Sequence, residues 1–296
     1  MVSSADHSTG QSQYTGRFAP SPTGPLHLGS LVSALGSWAD AKHHNGTWLV
    51  RIEDIDPARE SPEACEQIIE SLRAHHLHWD NEIVYQHQRS SLYNLALDRL
   101  RQQQRLYACT CTRKQLRALP SSVYPGNCRN LKHPEEDKAL RVCIDSGTTR
   151  FTDIVYGLTV EDVSRTVGDF IVRRRGPLYA YQLAVVVDDD EQRITHVVRG
   201  ADLLDNTARQ IALQHLLKLR TPHYLHLPLV LQDDGRKLSK QTGAVALDNS
   251  TPLNNLKTAW NALGQTPAPE TLINCQDFLD YCAKHWSRDK IPSTTL

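Results

Sequence analysis

The chain carries no net charge, since 33 Lys and Arg balance 33 Asp and Glu over 296 residues. No global field therefore draws in a nucleic acid, and any RNA contact has to be a local patch. Long apolar runs are missing too: none approaches the ~20 residues of a membrane-spanning helix. Met1 to Tyr14 is Ser, Thr, Gln and His without an apolar segment of the kind a secretory leader carries. A mobile tail over 1–14, a cytoplasmic location and no membrane partner are the resulting expectations. The seven cysteines are unevenly placed and lack the framework of a secreted disulfide scaffold. There is no internal repeat. The length exceeds the usual single domain and suffices for a sizeable core.

Against these absences one run stands out, Arg17-Phe-Ala-Pro-Ser-Pro-Thr-Gly-Pro-Leu-His-Leu-Gly-Ser30. Pro20, Pro22 and Pro25 fix φ and hold their predecessors out of the α region, while Gly24 supplies conformations closed to other residues. From Leu28 onward, Leu28, Leu31, Leu35 and Trp38 fall at helical intervals, and Asn45-Gly46 is the stop. His27 thus sits at a helix N-terminus, where unpaired N–H groups and the dipole favour bound phosphate. Gly29 in the first turn lets a ligand approach the backbone. An ordinary Pro-rich loop before an amphipathic helix accounts for the same residues taken singly.

Cys109-Thr-Cys111 followed by Cys128 lies in a stretch with Pro120, Pro125 and Gly126, too rich in breakers to build much core. Thiolates at this spacing suggest a structural zinc site that substitutes metal-ligand free energy for burial. Three unremarkable reduced cysteines are the alternative. Ligand chemistry alone points to His133 as the fourth ligand. Cys65, Cys143, Cys275 and Cys282 read as small core hydrophobes.

The remaining elements alternate as in an α/β enzyme. Thr47 to Ile52 is a strand, and Glu53-Asp54-Ile55-Asp56-Pro57 forms the loop at its carboxyl end, where ligands of open parallel sheets bind. Ser61-Pro62-Glu63 starts a helix with a cap, a first-position proline and an early acid, and another helix runs from about Leu92 to Arg105. The apolar run Ala184 to Val187 predicts a buried strand, with Asp188-Asp189-Asp190 as a polar turn before a strand over Ile194 to Val198. A helix follows Arg199-Gly200, then a strand near Leu225 to Leu231 and helices near Pro252 to Leu263 and Pro269 to Trp286. Local cationic patches are Arg173-Arg174-Arg175 and the Arg99, Arg101, Arg105 series.

His27-Leu28-Gly29-Ser30 resembles the His-Ile-Gly-His signature of class I aminoacyl-tRNA synthetases, and the lead-in from Arg17 to Gly24 is similar to the form in glutamyl and glutaminyl enzymes. Lys237-Leu238-Ser239-Lys240 resembles the second signature, Lys-Met-Ser-Lys-Ser, with Leu238 and Gln241 as departures. Two signatures in the family's order are far harder to obtain by chance than either alone. From about Tyr14 onward the chain resembles the glutamyl-queuosine tRNA(Asp) synthetases, a short group of that class. Little chain remains after Lys240, and neither the helical anticodon-binding part of a full glutamyl enzyme nor the β-barrels of a glutaminyl one fits there.

This resemblance implies a Rossmann-like α/β catalytic domain in two halves, 15–104 and 177–245, with an inserted zinc-bearing subdomain over 105–176 and a helical C-terminal segment over 246–296. It implies that L-glutamate is activated by ATP with Mg2+ and placed on queuosine of tRNA(Asp), by a monomer. Family positions that bind glutamate match Arg17, Phe18, Ala19, Pro20, Ser21, Glu53, Tyr181 and Arg199. Those for ATP match His27, Gly29, Ser30 and Lys240, with His27, Lys237 and Lys240 as catalytic groups. An arginine fork for a carboxylate and an acid for an ammonium are what glutamate demands, and Arg199 is expected to meet the side-chain carboxylate. Each residue also has a plainer use: Glu53 pairing with Arg51, Tyr181 in the core, Arg199 capping a helix. Zinc-bearing members carry Cys-x-Cys followed by Tyr-x-x-x-Cys, so the resemblance makes the metal set Cys109, Cys111, Tyr124 and Cys128. Two other readings are a compact glutamyl-tRNA synthetase charging the tRNA 3′ end and a zinc-bearing RNA-binding module without catalysis.

Overall fold

The computed structural model describes residues 13–230 and 245–293. Lys237 and Lys240, with the rest of the lysine loop, lie outside the described residues. Strand β1 (Thr15–Phe18) leads through the Pro-rich loop into helix α1 (Leu28–His43), and β2 (Thr47–Ile52) returns parallel to β1 in the register Arg17↔Leu49. Helix α2 (Pro62–Ala74) starts where the sequence placed it: Ser61 is the N-cap, its side chain accepting from Ala64 N, with Pro62 in first position. The short β3 (Val84–Tyr85) then pairs parallel to β2.

After α3 (Ser90–Gln102) come β4 (Leu106–Cys109), α4 (Arg113–Arg117), β5 (Ala139–Val142), β6 (Thr149–Asp153), β7 (Gly157–Glu161), α5 (Val163–Thr166) and β8 (Phe170–Arg173). The main sheet resumes with α6 (Tyr181–Glu191), β9 (His196–Gly200), α7 (Leu204–Leu217) and β10 (His223–Leu227), and the chain closes with α8 (Pro252–Ala262) and α9 (Cys275–His285).

β9 and β10 are parallel neighbours. Thr195 N donates to Thr15 O at 2.9 Å and Thr15 N to Thr195 Oγ1 at 2.8 Å. These bonds set the starts of β1 and β9 side by side, although the residues are 180 positions apart. Both strands deliver their carboxyl ends to the same edge. The three-stranded sheet β1-β2-β3 and the four-stranded sheet β7-β6-β10-β9 abut at β1 and β9, so the chain progresses outward on both sides of that junction, which has the place of the switch point of a doubly wound sheet.

Two corrections concern the second half. Ala184 to Val187 belongs to helix α6, not to a strand. An apolar run buried on every side does not distinguish the two conformations, and Leu183 through Asp189 are all buried. Asp188 to Asp190 accordingly form the last turns of that helix rather than a turn between strands. The inserted stretch is also less separate than expected. β4, β5 and β8 form an antiparallel sheet of their own, whereas β6 pairs parallel to β10 at Asp153↔Tyr224, with β7 antiparallel outside it. Leu140, Val142, Phe151, Phe170 and Val172 share one core with Tyr93, Leu97, Val185 and Val186.

The other large core lies between α1, β1, β2, α8 and α9, with Trp48, Trp260 and Phe278 fully buried. Tyr14, the last residue of the expected tail, is buried there and donates to Asp40 Oδ2 at 2.5 Å. Asp40 also receives Trp286 Nε1 at 2.8 Å and Arg288 Nε at 2.7 Å, so it fastens the closing segment to α1. Cys275 and Cys282 are buried as small hydrophobes, while Cys65 and Cys143 are half-buried.

Candidate active site

A cavity of about 640 Å³ opens at the carboxyl ends of β1, β2, β9 and β10, the place where a doubly wound sheet binds ligands. Its walls include Arg17 and Phe18 at the end of β1 with Ala19 to Ser21 after it, His27, Gly29 and Ser30 at the start of α1, Glu53 after β2, Tyr181 at the start of α6 and Arg199 in β9. Every described residue expected to bind glutamate or ATP therefore faces one space. His27 is the N-cap of α1, its Nδ1 accepting from Ser30 N at 3.3 Å. That bond turns the imidazole across the helix mouth, with the first-turn amides beside it.

Beneath the cavity lies a buried ionic layer. Arg17 is 3% exposed and grips Asp189 with Nε at 3.1 Å and Nη2 at 3.3 Å. Arg51 is fully buried and donates to Asp189 Oδ1 at 2.8 Å and Glu53 Oε1 at 3.3 Å. Arg89 Nε donates to Asp188 Oδ1 at 2.6 Å, and Gln86 and Tyr93 complete that carboxylate's shell. Burial pushes Asp189 up, but Arg17 and Arg51 outweigh it and hold the carboxyl below the ordinary range. Burial dominates at Glu53 and raises its pKa despite Arg51 and Arg17. A buried carboxylate so placed gains from a cation arriving in the cavity. The pairing of Glu53 with Arg51 and its exposure to the cavity are thus both realised.

Arg199 has an acceptor for each of its N–H groups. Nε donates to His226 Nε2 at 3.0 Å, Nη1 to Gln210 Oε1 at 2.9 Å and Tyr181 Oη at 3.4 Å, and Nη2 to Thr207 Oγ1 at 2.9 Å and Leu203 O at 3.3 Å. It caps the turn leading into α7 and lines the cavity at once.

The sequence reading gave no site role to Asp189, His226 or Glu60; it named Arg51 only as a partner of Glu53, which the 3.3 Å bond bears out, Asp56 only within the loop after β2 and Arg174 only within a cationic patch. The unbroken length of the stretch from Tyr181 to Glu191, longer than a usual strand and without a breaker, was the available signal for the first. Glu60, mainly through burial, has its pKa pushed up to about 7, with both carboxylate oxygens accepting from Asp56 N at 3.0 Å. Arg174 turns inward to Asp56 Oδ1 at 3.2 Å and Ile55 O at 2.9 Å. Arg101 and Arg105 are likewise paired, with Glu135 at 2.6 Å and Asp145 at 2.5 Å.

Away from the cavity, the ligand atoms of Cys109, Cys111 and Cys128 lie within 4.8 Å of one another. Tyr124 Oη is 3.5 Å from both Cys109 Sγ and Cys111 Sγ and accepts from Cys128 N at 3.1 Å. His133 reaches Thr110 Oγ1 at 3.3 Å and is not one of the clustered donors. The tyrosine is held by a tight crossing at Gly168, whose φ is +71° and where a Cβ would stand 2.4 Å from Tyr124 O. Three thiols converging with a phenol oxygen are a chemically suitable donor set for a metal ion.

Residues 13–258 match the family model described as tRNA synthetases class I (E and Q), catalytic domain. The fold and its cavity are accordingly those of a class I aminoacyl-tRNA synthetase catalytic domain. Among curated proteins, the chain is 51% identical over 264 residues to the Glutamyl-Q tRNA(Asp) synthetase of Pseudomonas putida (strain KT2440), spanning 88% of this chain and 87% of that one. It is 46% identical over 289 residues to the protein of the same name from Photobacterium profundum, spanning 97% and 93%. The chain belongs to the glutamyl-Q tRNA(Asp) synthetase family.

Among solved structures, a glutamate tRNA ligase from Elizabethkingia meningosepticum, in complex with its amino acid, superposes with a TM-score of 0.80 at 25% identity over 95% of this chain, which spans 66% of that one. A methionyl-tRNA synthetase from Mycobacterium tuberculosis shares the fold alone, with a TM-score of 0.57 at 10% identity, over 85% of this chain and 64% of that one. No helix among the described residues is long and apolar enough to cross a membrane.

Proposed function

We propose that this chain activates L-glutamate with ATP and Mg2+ as glutamyl-adenylate, with pyrophosphate leaving, and transfers the glutamyl group to a hydroxyl of queuosine in the anticodon loop of tRNA(Asp), with AMP leaving. The observation that supports it is the single cavity shared by a phosphate-type helix mouth and a carboxylate-and-ammonium pocket. Glutamate's α-carboxylate is ionised at neutral pH, so its attack on the α-phosphorus needs no protein base. Catalysis of that step rests on positioning and on charge stabilisation over the phosphates.

In this reading Glu53 takes the ammonium group, and Arg17 with the segment Phe18 to Ser21 frames the amino acid. Arg199 and Tyr181 take the side-chain carboxylate, which displaces the long bonds of Arg199 to Tyr181 Oη and Leu203 O and keeps the short ones. His27, Gly29 and Ser30 receive ATP, assisted by Lys237 and Lys240, whose roles rest on the sequence. Cys109, Cys111, Cys128 and Tyr124 hold one Zn2+, which stabilises the small subdomain around them.

The test supplies labelled glutamate and ATP with tRNA(Asp) carrying or lacking queuosine, followed by nuclease cleavage. Label retained on the anticodon fragment only when queuosine is present is the expected result. Label at the 3′ end would establish the compact glutamyl-tRNA synthetase instead. Absence of ATP–pyrophosphate exchange would leave the RNA-binding module.

A further inference from the structure

We infer that Asp153 and His226 form a positioning relay that sets the plane of the Arg199 guanidinium and so governs the choice of glutamate over glutamine. The inference rests on the reading of Arg199 as the group that meets the side-chain carboxylate. Asp153, His226 and Arg199 are buried, at 1%, 0% and 5% exposure, and stand in line. His226 Nδ1 is 2.7 Å from Asp153 Oδ2, and His226 Nε2 is 3.0 Å from Arg199 Nε.

Proton bookkeeping fixes the state of each member. A guanidinium only donates, so Nε2 of His226 carries no hydrogen and accepts. Its hydrogen is then on Nδ1 and is donated to Asp153. The carboxylate has no freedom to turn away, because Oδ1 accepts from Val155 N and Tyr156 N at 2.9 Å each and Oδ2 from His226 N at 3.1 Å. The ring is hemmed in by Asp153, Arg199 and Asp202 as charged neighbours, and Tyr224 stacks near it at 6.2 Å. Burial, with the Arg199 cation adding to it, depresses the imidazole pKa, although the bond to Asp153 works the other way. The neutral ring holds the Nε edge of Arg199 while Gln210 and Thr207 hold one N–H on each terminal nitrogen. What remains for a ligand is one fixed edge, suited to an anionic carboxylate and not to an amide whose NH2 would face N–H donors.

The relay also gives β6 a purpose. This strand comes from the stretch between the two halves of the sheet, and it joins β10 at the Asp153 position.

Steady-state ATP–pyrophosphate exchange with two shape-matched variants provides the test. In His226→Gln the amide oxygen can stand in for Nε2 and accept from Arg199, and its glutamate KM should stay within about threefold of wild type. His226→Asn reaches only the Asp153 side and leaves the Arg199 Nε–H unpaired; its glutamate KM should rise about ten- to hundredfold, with the ATP KM unchanged and the glutamate-to-glutamine preference reduced. Equal damage in both variants, or matching rises in the glutamate and ATP KM, would overturn the relay. Arg199→Ala runs beside them. A large effect there with a neutral His226→Asn overturns the relay alone, while an unaffected glutamate KM in Arg199→Ala overturns the reading beneath it as well. Should His226→Asn not fold, 15N-histidine NMR of the wild-type chain decides: a neutral Nδ1–H tautomer at pH 7 supports the relay, and an imidazolium or Nε2–H tautomer refutes it.

Discussion

Replacing Asp189 by Asn removes one charge from the layer under the cavity and almost no volume. Asp189 is the buried carboxylate that both Arg17 and Arg51 grip, so the variant deprives two buried guanidinium groups of their shared anion. Breaking a buried pair by deleting one partner costs about 3–5 kcal/mol, because the abandoned charge keeps its desolvation penalty. That is a large share of the roughly 5–15 kcal/mol by which domains are stable. Urea unfolding at pH 7 should show the loss. The glutamate KM should rise with it, since Arg17 would no longer be gripped along its Nε–Nη2 edge.

The double variant with Arg51→Met removes charge of both signs and should recover part of the loss, a coupling of about 1–3 kcal/mol. The pH dependence has a definite sign. Asp189 has a depressed folded pKa, so its stabilisation is present above the ordinary unfolded value near 3.9 and disappears as pH falls through the folded one. The wild-type advantage over Asp189→Asn should hold from about pH 5 to 8 and close on acidification below about pH 4. A loss under about 1 kcal/mol, or strict additivity with Arg51→Met, would refute the account of the layer.

Other outcomes follow from the site and its surroundings. Lys240→Ala should lower ATP–pyrophosphate exchange by about 10²–10³, the usual loss for one preorganised electrostatic donor; unchanged exchange would remove Lys240 from catalysis. Metal analysis should find one zinc per chain in wild type and in His133→Ala, and a deficit in Cys128→Ser and Tyr124→Phe; loss confined to His133→Ala would hand the fourth position to the histidine. Glu60, raised to about 7 in the folded chain, favours the folded state below its unfolded pKa of ~4.3, and this contribution is lost as pH rises through about 7. The melting temperature of Glu60→Gln relative to wild type should therefore climb between pH 5 and pH 8, and a pH-independent gap would contradict the raised pKa.

Residues whose chemistry depends on local order were legible in the chain. The Pro-rich turn, the His27 N-cap, the Ser61-Pro62 start and Glu53 at a strand end all follow from dihedral preferences and capping, which act within a few residues. Helix α6 was misread because its burial on all sides erased the 3.6-residue periodicity that marks a helix. The same burial hid Asp188 and Asp189. Three acids in a row look like a solvated turn unless the partner arginines, more than ninety positions away for Arg51 and Arg89, are known to be beneath them. His226 escaped notice for a similar reason: its meaning lies in Asp153 and Arg199, on two other strands.

The junction of β1 with β9 also bears on how the protein is made. Drawing together residues 180 positions apart costs about 4–5 kcal/mol of chain entropy by the (3/2)RT ln n rule, and such distant contacts form slowly. During synthesis, β1, α1 and β2 leave the ribosome long before β9 exists, exposing an unpaired strand edge and half a pocket. A nascent chain therefore gains its site only after β9 has emerged, and the interval before then is the window in which chaperone capture or edge-to-edge aggregation competes with folding.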